Sequence, residues 1–148
     1  MPWTPRTTVA AIAEQDGKFL FVLENINGTA VINQPAGHLE QDETLIQAVQ
    51  REMQEETAWS FEPLALVGIY KWRIPEAGPT YMRYCFYGKV LKHSPAQPLD
   101  DGILEAVWLT PEQISEGEYP LRSPMVERCL NDYLTGCHYP LDVINEVD

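Results

Sequence analysis

The sequence predicts an α+β domain in which helices cover a mixed β-sheet. Three observations carry that expectation. Short apolar or alternating runs separated by turn signals recur along the chain, as in Phe19–Leu23 and Thr80–Leu91. One long stretch in between changes to helical spacing, with apolar residues at Leu45, Ile46, Val49 and Met53. Towards the C-terminus, Thr110-Pro111 and Ser123-Pro124 each mark a helix start.

Taken in order, Thr7–Ala13 and Phe19–Leu23 read as strands joined at Asp16-Gly17, a pair that favours a tight hairpin. Glu24–Thr29 is polar and reads as a loop, and Ala30–Asn33 as a short strand. Gln34–His38 is expected to be a loop, with Pro35 fixing φ and Gly37 either taking positive φ or letting a ligand approach the backbone. The helix should start near Asp42–Thr44 with an acid in its first turn. Phe61–Tyr70 reads as a strand after a turn at Glu62-Pro63, and Pro75–Pro79 as a hairpin loop. In Thr80–Leu91, Tyr81, Arg83, Cys85 and Tyr87 share one face, and Met82, Tyr84 and Phe86 the other. His93–Asp101 is a Pro-rich loop and Leu104–Leu109 a last strand. Thr110, Pro111 and Gln113 suit an N-cap, first helical position and capping box, and a final helix is expected over Pro124–Thr135, ending at Gly136.

At 148 residues, one domain spanning residues 1–148 is expected, long enough for a real core. The 22 acids against 10 bases give a net charge of −12, which argues against duplex nucleic acid as the main partner. It leaves room for a small phosphorylated ligand, because a bound cation reverses the local sign. Cys85, Cys129 and Cys137 are odd in number and lack zinc-site spacing, so reduced thiols in a cytoplasmic protein are expected. Met1–Arg6 holds two prolines with no apolar run after it, so neither a secretory leader nor a membrane span is expected.

The chemistry concentrates in Gly37–Trp59, GHLEQDETLIQAVQREMQEETAW. On a helix, Glu52, Glu55 and Glu56 stand at i, i+3 and i+4 and project from one face. Like charges at that spacing cost a few tenths of a kcal/mol per pair, and a hard divalent cation, which prefers carboxylate oxygen, would neutralise them. A Glu-rich helix face is ordinarily just solvated, so the spacing alone does not decide between the two.

The stretch resembles the signature of the Nudix hydrolases, G-x5-E-x7-R-E-U-x-E-E-x-G-U with U a bulky apolar residue. Gly37, Glu43, Arg51, Glu52, Met53, Glu55 and Glu56 all fall on it. Ala58 stands where the family has glycine, and Trp59 is larger than the usual aliphatic residue. That glycine ends the helix in a left-handed conformation, which costs another residue about 1–2 kcal/mol, so a slightly altered helix exit is expected. The resemblance implies an α/β/α sandwich that hydrolyses diphosphates with Mg2+, or Mn2+ in its place. It implies Glu52, Glu55, Glu56 and the Gly37 carbonyl as metal ligands, Arg51 orienting the glutamates and Glu43 bracing the loop against the helix. Glu52, Arg51 and Glu56 are thus the expected catalytic residues. Glu52 comes first as general base towards the attacking water, with Glu105 as an outside candidate.

Substrate contacts are less sharply marked. His38 suits a phosphate contact or a base as well as a structural loop residue. Trp72, Tyr70, Trp108 and Tyr81 suit ring stacking, although strand aromatics more often fill a core. Arg73 and Arg83 suit bidentate phosphate binding, against simple surface placement. Asn33 and Gln34 suit reading a base edge. From about Thr7 to Ile144 the chain also resembles a bacterial phosphatase branch of the family, through QPAGHLE, DETL and LRSP. That likeness implies a monomer releasing orthophosphate from nucleoside tri- and diphosphates, from hydroxymethylpyrimidine diphosphate and from thiamine diphosphate. The rival readings are cleavage of another nucleoside diphosphate derivative such as ADP-ribose, release of pyrophosphate from a nucleoside triphosphate, and a metabolite-binding domain without turnover.

Overall fold

The computed structural model describes residues 2–147. In chain order the elements are β1 (Arg6–Gln15), β2 (Lys18–Ile26), β3 (Thr29–Asn33), β4 (Ala36–His38), α1 (Leu45–Thr57), β5 (Trp59–Arg73), β6 (Thr80–His93), β7 (Ile103–Leu109), α2 (Pro111–Ser115) and α3 (Pro124–Leu134), followed by a 3-10 turn at Leu141–Val143.

The first hairpin closes as its turn chemistry requires, with Asp16 at φ 54° and Gly17 at φ 78°. The sheet order is β3-β2-β1-β6-β5, with β4 on β1 and β7 on β2. β1 and β6 run parallel, from Arg6 opposite Tyr81 to Ala13 opposite Gly88. The remaining pairings are antiparallel, so the sheet is mixed. β1 has an almost unbroken apolar run because both of its faces are buried. Val9 and Ala11 pack with Leu20, Phe86 and the α1 residues Val49 and Met53. Ala10 and Ile12 pack on the other side with Phe21, Ile32, Cys85 and the α3 residues Val126 and Leu130. Helices on both faces of one sheet make the α/β/α sandwich.

Four local expectations are corrected. Ala36–His38 is a strand, not a loop, because it pairs antiparallel with β1, Gly37 opposite Val9. β5 runs straight through Glu62 and Pro63 without a turn. It lies at the end of the sheet order, and its register shifts between Pro63 and Ala65, so the missing proline N–H is tolerated. α1 begins at Leu45 with no acid in its first turn. Thr44 caps it, accepting from Gln47 N while the Gln47 side chain accepts from Thr44 N, and Asp42 sits in the preceding turn at φ 68°. The exit of α1 is not altered either: Ala58 adopts the left-handed cap itself, φ 62° and ψ 18°, with its N–H on Gln54 O. The strain is held by tertiary contacts, since Ala58 is buried and its carbonyl accepts from Ser94 N at 2.8 Å. Trp59 then stacks on His93, ring centroids 4.6 Å apart, and meets Trp108 edge-on.

Candidate active site

The α1 glutamates face a cleft of about 530 Å³ that also takes residues from β2, β3, β5 and β6. Local chemistry seats each one. The Ala36 N–H donates to Glu56 Oε1 at 2.8 Å, which ties the start of β4 to the last turn of α1. Gly37 does not have positive φ; it is needed for close approach, because a Cβ there would run into the Glu52 carboxylate. Arg51 binds Glu43 with two donors, Nε at 3.0 Å and Nη2 at 2.7 Å. Its Nη2 also donates to the His38 carbonyl at 3.0 Å, and its Nη1 to Glu52 Oε1 at 2.7 Å. One guanidinium thereby joins the loop, the strand and the helix.

Electrostatics separates these carboxylates. The Arg51 hydrogen bond holds the Glu43 carboxyl below its usual range, and the same bond raises the arginine. Burial pushes Glu52 up, against the pull of Arg51. Burial pushes Glu56 up to about 9, opposed by the Ala36 N–H and reinforced by the charges of Glu52, Glu24 and Asp100. Glu52 and Glu56 are only 8% and 7% exposed, and Glu56 has no cation among its hydrogen-bond or ion-pair partners among the described residues. A carboxylate as buried as Glu56 with no cationic partner, beside a second one that shares its arginine with Glu43, is unfavourable by itself and marks a place for a positive ion.

Asp100 completes the acidic group. Oxygens of Glu52, Glu55 and Asp100 lie within 4.8 Å of one another, whereas Glu56 falls outside that trio. The loop after β6 carries Asp100 back to α1: Gln97 exchanges 2.7 Å hydrogen bonds with the Gln54 side chain and carbonyl, and the Asp100 N–H donates to Glu55 O. No motif in the sequence marks Asp100, because its place depends on how this loop docks.

Trp72 and Tyr81 line the cleft, their rings near-parallel with centroids 6.3 Å apart, and His38 lines it beside Tyr81. Tyr70 instead donates to Asp132 and Trp108 packs on Trp59, both away from the cleft lining. Arg73 and Glu105 are exposed and outside the lining, so neither the phosphate role nor the general-base role fits them. Glu105 shares the strand face of Val107 and Leu109, which belong to the core against α3. Arg83 is buried, not on the surface, and donates to Gln34 Oε1 at 2.8 Å and Asn33 Oδ1 at 3.1 Å. Gln34 bridges Arg83 to the Val126 carbonyl and does not line the cleft, so it reads no base edge. Arg122 pairs with Glu24 at 3.2 Å, both lining the cleft, a contact with no signal in the sequence.

A NUDIX domain model matches residues 3–129. The chain belongs to the Nudix hydrolase family. It is 41% identical over 142 residues to Phosphatase NudJ of Escherichia coli K12, covering 96% of this chain and 92% of that protein. A Nudix hydrolase from Nitrosomonas europaea superposes with a TM-score of 0.93 at 45% identity, covering 97% of this chain and 98% of the other. The Nudix domain of Shewanella oneidensis NrtR, solved with ADP-ribose, shares the fold alone, with a TM-score of 0.68 at 18% identity over 88% of this chain and 89% of the other. This Nudix hydrolase is an enzyme acting on phosphoanhydrides.

Proposed function

We propose that this Nudix hydrolase is a Mg2+-dependent phosphatase that releases terminal orthophosphate from nucleoside tri- and diphosphates, from thiamine diphosphate and from hydroxymethylpyrimidine diphosphate. One observation carries the reading: the Glu52–Glu55–Asp100 group shares a single cleft with the Trp72–Tyr81 ring pair. The first would serve a diphosphate, the second a flat ring. The substrate list is supported by the likeness to NudJ-type phosphatases.

The residues fit a hard cation. The donors are all carboxylate oxygens, they converge, and the missing side chain of Gly37 leaves room that a Cβ would fill. Mg2+ is the best match and Mn2+ the next. Glu52, Glu55 and Asp100 would hold it, with Glu56 and the Gly37 carbonyl completing the set. Bound there, the ion cancels phosphate charge, polarises the scissile P–O bond and acidifies water.

The rest belongs to the chain. Glu43 locks Arg51, and Arg51 fixes the Glu52 and Glu55 oxygens. Glu56 holds the start of β4 against α1. Water attacks the terminal phosphorus, its proton goes to Glu52, and the bridging P–O bond breaks with the electron pair leaving on the inner phosphate of the remaining nucleotide or monophosphate, so the attacked group is released as orthophosphate. Glu52 suits the proton because its carboxylate lines the cleft within the same acidic group. Cys85, Cys129 and Cys137 are free thiols, in keeping with a reducing, cytoplasmic setting, and the family likeness favours a monomer. Among the described residues no helix is long and apolar enough to cross a membrane.

Product analysis with Mg2+ tests the reading on GTP, GDP, thiamine diphosphate, hydroxymethylpyrimidine diphosphate and ADP-ribose. Orthophosphate from the first four, with ADP-ribose intact, is the expected result. Pyrophosphate from GTP, or AMP from ADP-ribose, overturns the substrate assignment.

A further inference from the structure

The cleft also holds a polar group that the reaction above does not use. Asn33, the last residue of β3, lines the cleft and is 8% exposed. Its Oδ1 accepts from Arg83 Nη2 at 3.1 Å. Arg83 is itself 3% exposed, and no carboxylate forms an ion pair with it among the described residues. Its other arm, Nη1, donates to Gln34 Oε1 at 2.8 Å, and Gln34 Nε2 donates on to the Val126 carbonyl at 2.8 Å. A guanidinium can only donate, so the oxygen of Asn33 must face it and the Nδ2 amide must turn away. That Nδ2 has no hydrogen-bond partner among the described residues. Unlike Arg83 Nε, it is not sealed from solvent either.

The strand register puts a ring site beside it. Tyr81 and Arg83 are two apart on β6 and share a face, about 6.6 Å apart at the strand repeat. Trp72 stands opposite Tyr81 on β5. A flat ring resting on Tyr81 and Trp72 therefore has an edge one step from the Arg83–Asn33 pair. A phosphate is the poorer occupant of that step. It favours a two-pronged grip from an accessible arginine, whereas Arg83 is 3% exposed and each of its Nη groups already holds a buried amide oxygen.

We propose that Asn33 is a specificity residue that donates its Nδ2 hydrogens to a ring nitrogen or carbonyl on the edge of the substrate's heterocycle. Arg83 is the positioning residue that sets the flip of that amide. The proposal rests on the ring-and-diphosphate reading of the same cleft.

The test is binding calorimetry on the full chain with Mg2+ and three monophosphates that share a methylene linker. Pyrimidin-5-ylmethyl phosphate offers only ring acceptors, aminobenzyl phosphate offers an amine donor, and benzyl phosphate offers neither. The unmodified protein should bind the pyrimidine roughly tenfold or more tighter than the benzyl compound, the yield of one hydrogen bond in a desolvated site. Asn33→Asp keeps size and gains charge pairing with Arg83, so it should fold; it presents acceptors and should reverse the order in favour of the aminobenzyl compound. Arg83→Met frees the amide to flip and should collapse the acceptor-over-donor ratio, and Arg83→Lys should restore part of it. Similar Kd values for all three probes on the unmodified protein, or no measurable binding of any, overturn the proposal without recourse to a variant. An unchanged preference in Asn33→Asp overturns it too. Because the readout is affinity, absence of orthophosphate release in the product panel would be a separate failure, of the phosphatase reading.

Discussion

The two walls of the cleft are built in opposite ways. The acidic wall comes mainly from one continuous stretch, Gly37 to Glu56, braced internally by Arg51 through Glu43, Glu52 and the His38 carbonyl, with Asp100 added from the loop after β6. The other wall is assembled from distant strands, with Asn33 on β3, Trp72 on β5, and Tyr81 and Arg83 on β6. The first is largely a local device, in which helical spacing sets the glutamates and one docked loop adds Asp100. The second exists only because β1 lies between β2 and β6 in the sheet order. On the proposed reading, chemistry sits on the acidic side and selectivity on the composite side, so a change of substrate need not disturb hydrolysis.

That division is broken most directly at Glu52. Glu52→Gln should lower kcat/KM by about a hundredfold or more, since a ligand and proton acceptor are lost together. In chelator, the same variant should melt at or near the unmodified protein, because the desolvated charge is removed while Arg51 keeps Glu43 as its partner. A near-normal rate would remove the metal and base assignment. Gly37→Ala should cost roughly ten- to a hundredfold in kcat/KM, the range for displacing a supporting group at a metal site. Its Cβ displaces the Glu52 carboxylate while the β4 pairing remains, so circular dichroism should stay unchanged.

Glu43→Gln acts one step further out and should cost about tenfold in kcat/KM through a looser Arg51. It also carries a pH signature. The Glu43 carboxyl is lowered in the folded protein relative to its ordinary 4.5. Its contribution is therefore complete above pH 4.5 and is lost as pH falls through the folded value. Melting profiles of the two proteins should differ at neutral pH and converge in acid; parallel profiles would count against the brace. Ala58→Gly should change least. Relief of left-handed strain gains about 1–2 kcal/mol, while the lost buried methyl costs about 0.8 and the added freedom of the unfolded chain about 0.4–1. The melting temperature should move by no more than a few degrees, and a shift of ten degrees either way would show that one of these contributions is misjudged.

Much of the fold was legible because most elements carry their own signals. Thr110, Pro111 and Gln113 cap α2 as their spacing suggests, and Asp16-Gly17 closes the first hairpin. The glutamate face of α1 follows from i, i+3 and i+4 alone. Legibility ended where a partner from elsewhere decided the outcome. β4 is a strand because β1 offers it a ladder, and Pro63 stays within β5 because a register shift at the sheet's edge accommodates it. Ala58 turns left-handed because its neighbours hold it there.

The sequence by itself determined the acidic helix and, through the family resemblance, its bracing residues Glu43 and Arg51, because each depends on residues close in the chain. Only the tertiary structure decided that Asp100 joins Glu52 and Glu55, that Arg83 is buried against Asn33, and that Arg73 and Glu105 stay outside the cleft. The physical reason is range. Helical periodicity and caps act within a few residues, whereas a carboxylate cluster or a fixed amide flip requires groups from separate elements, placed by the sheet and the loops that dock on it.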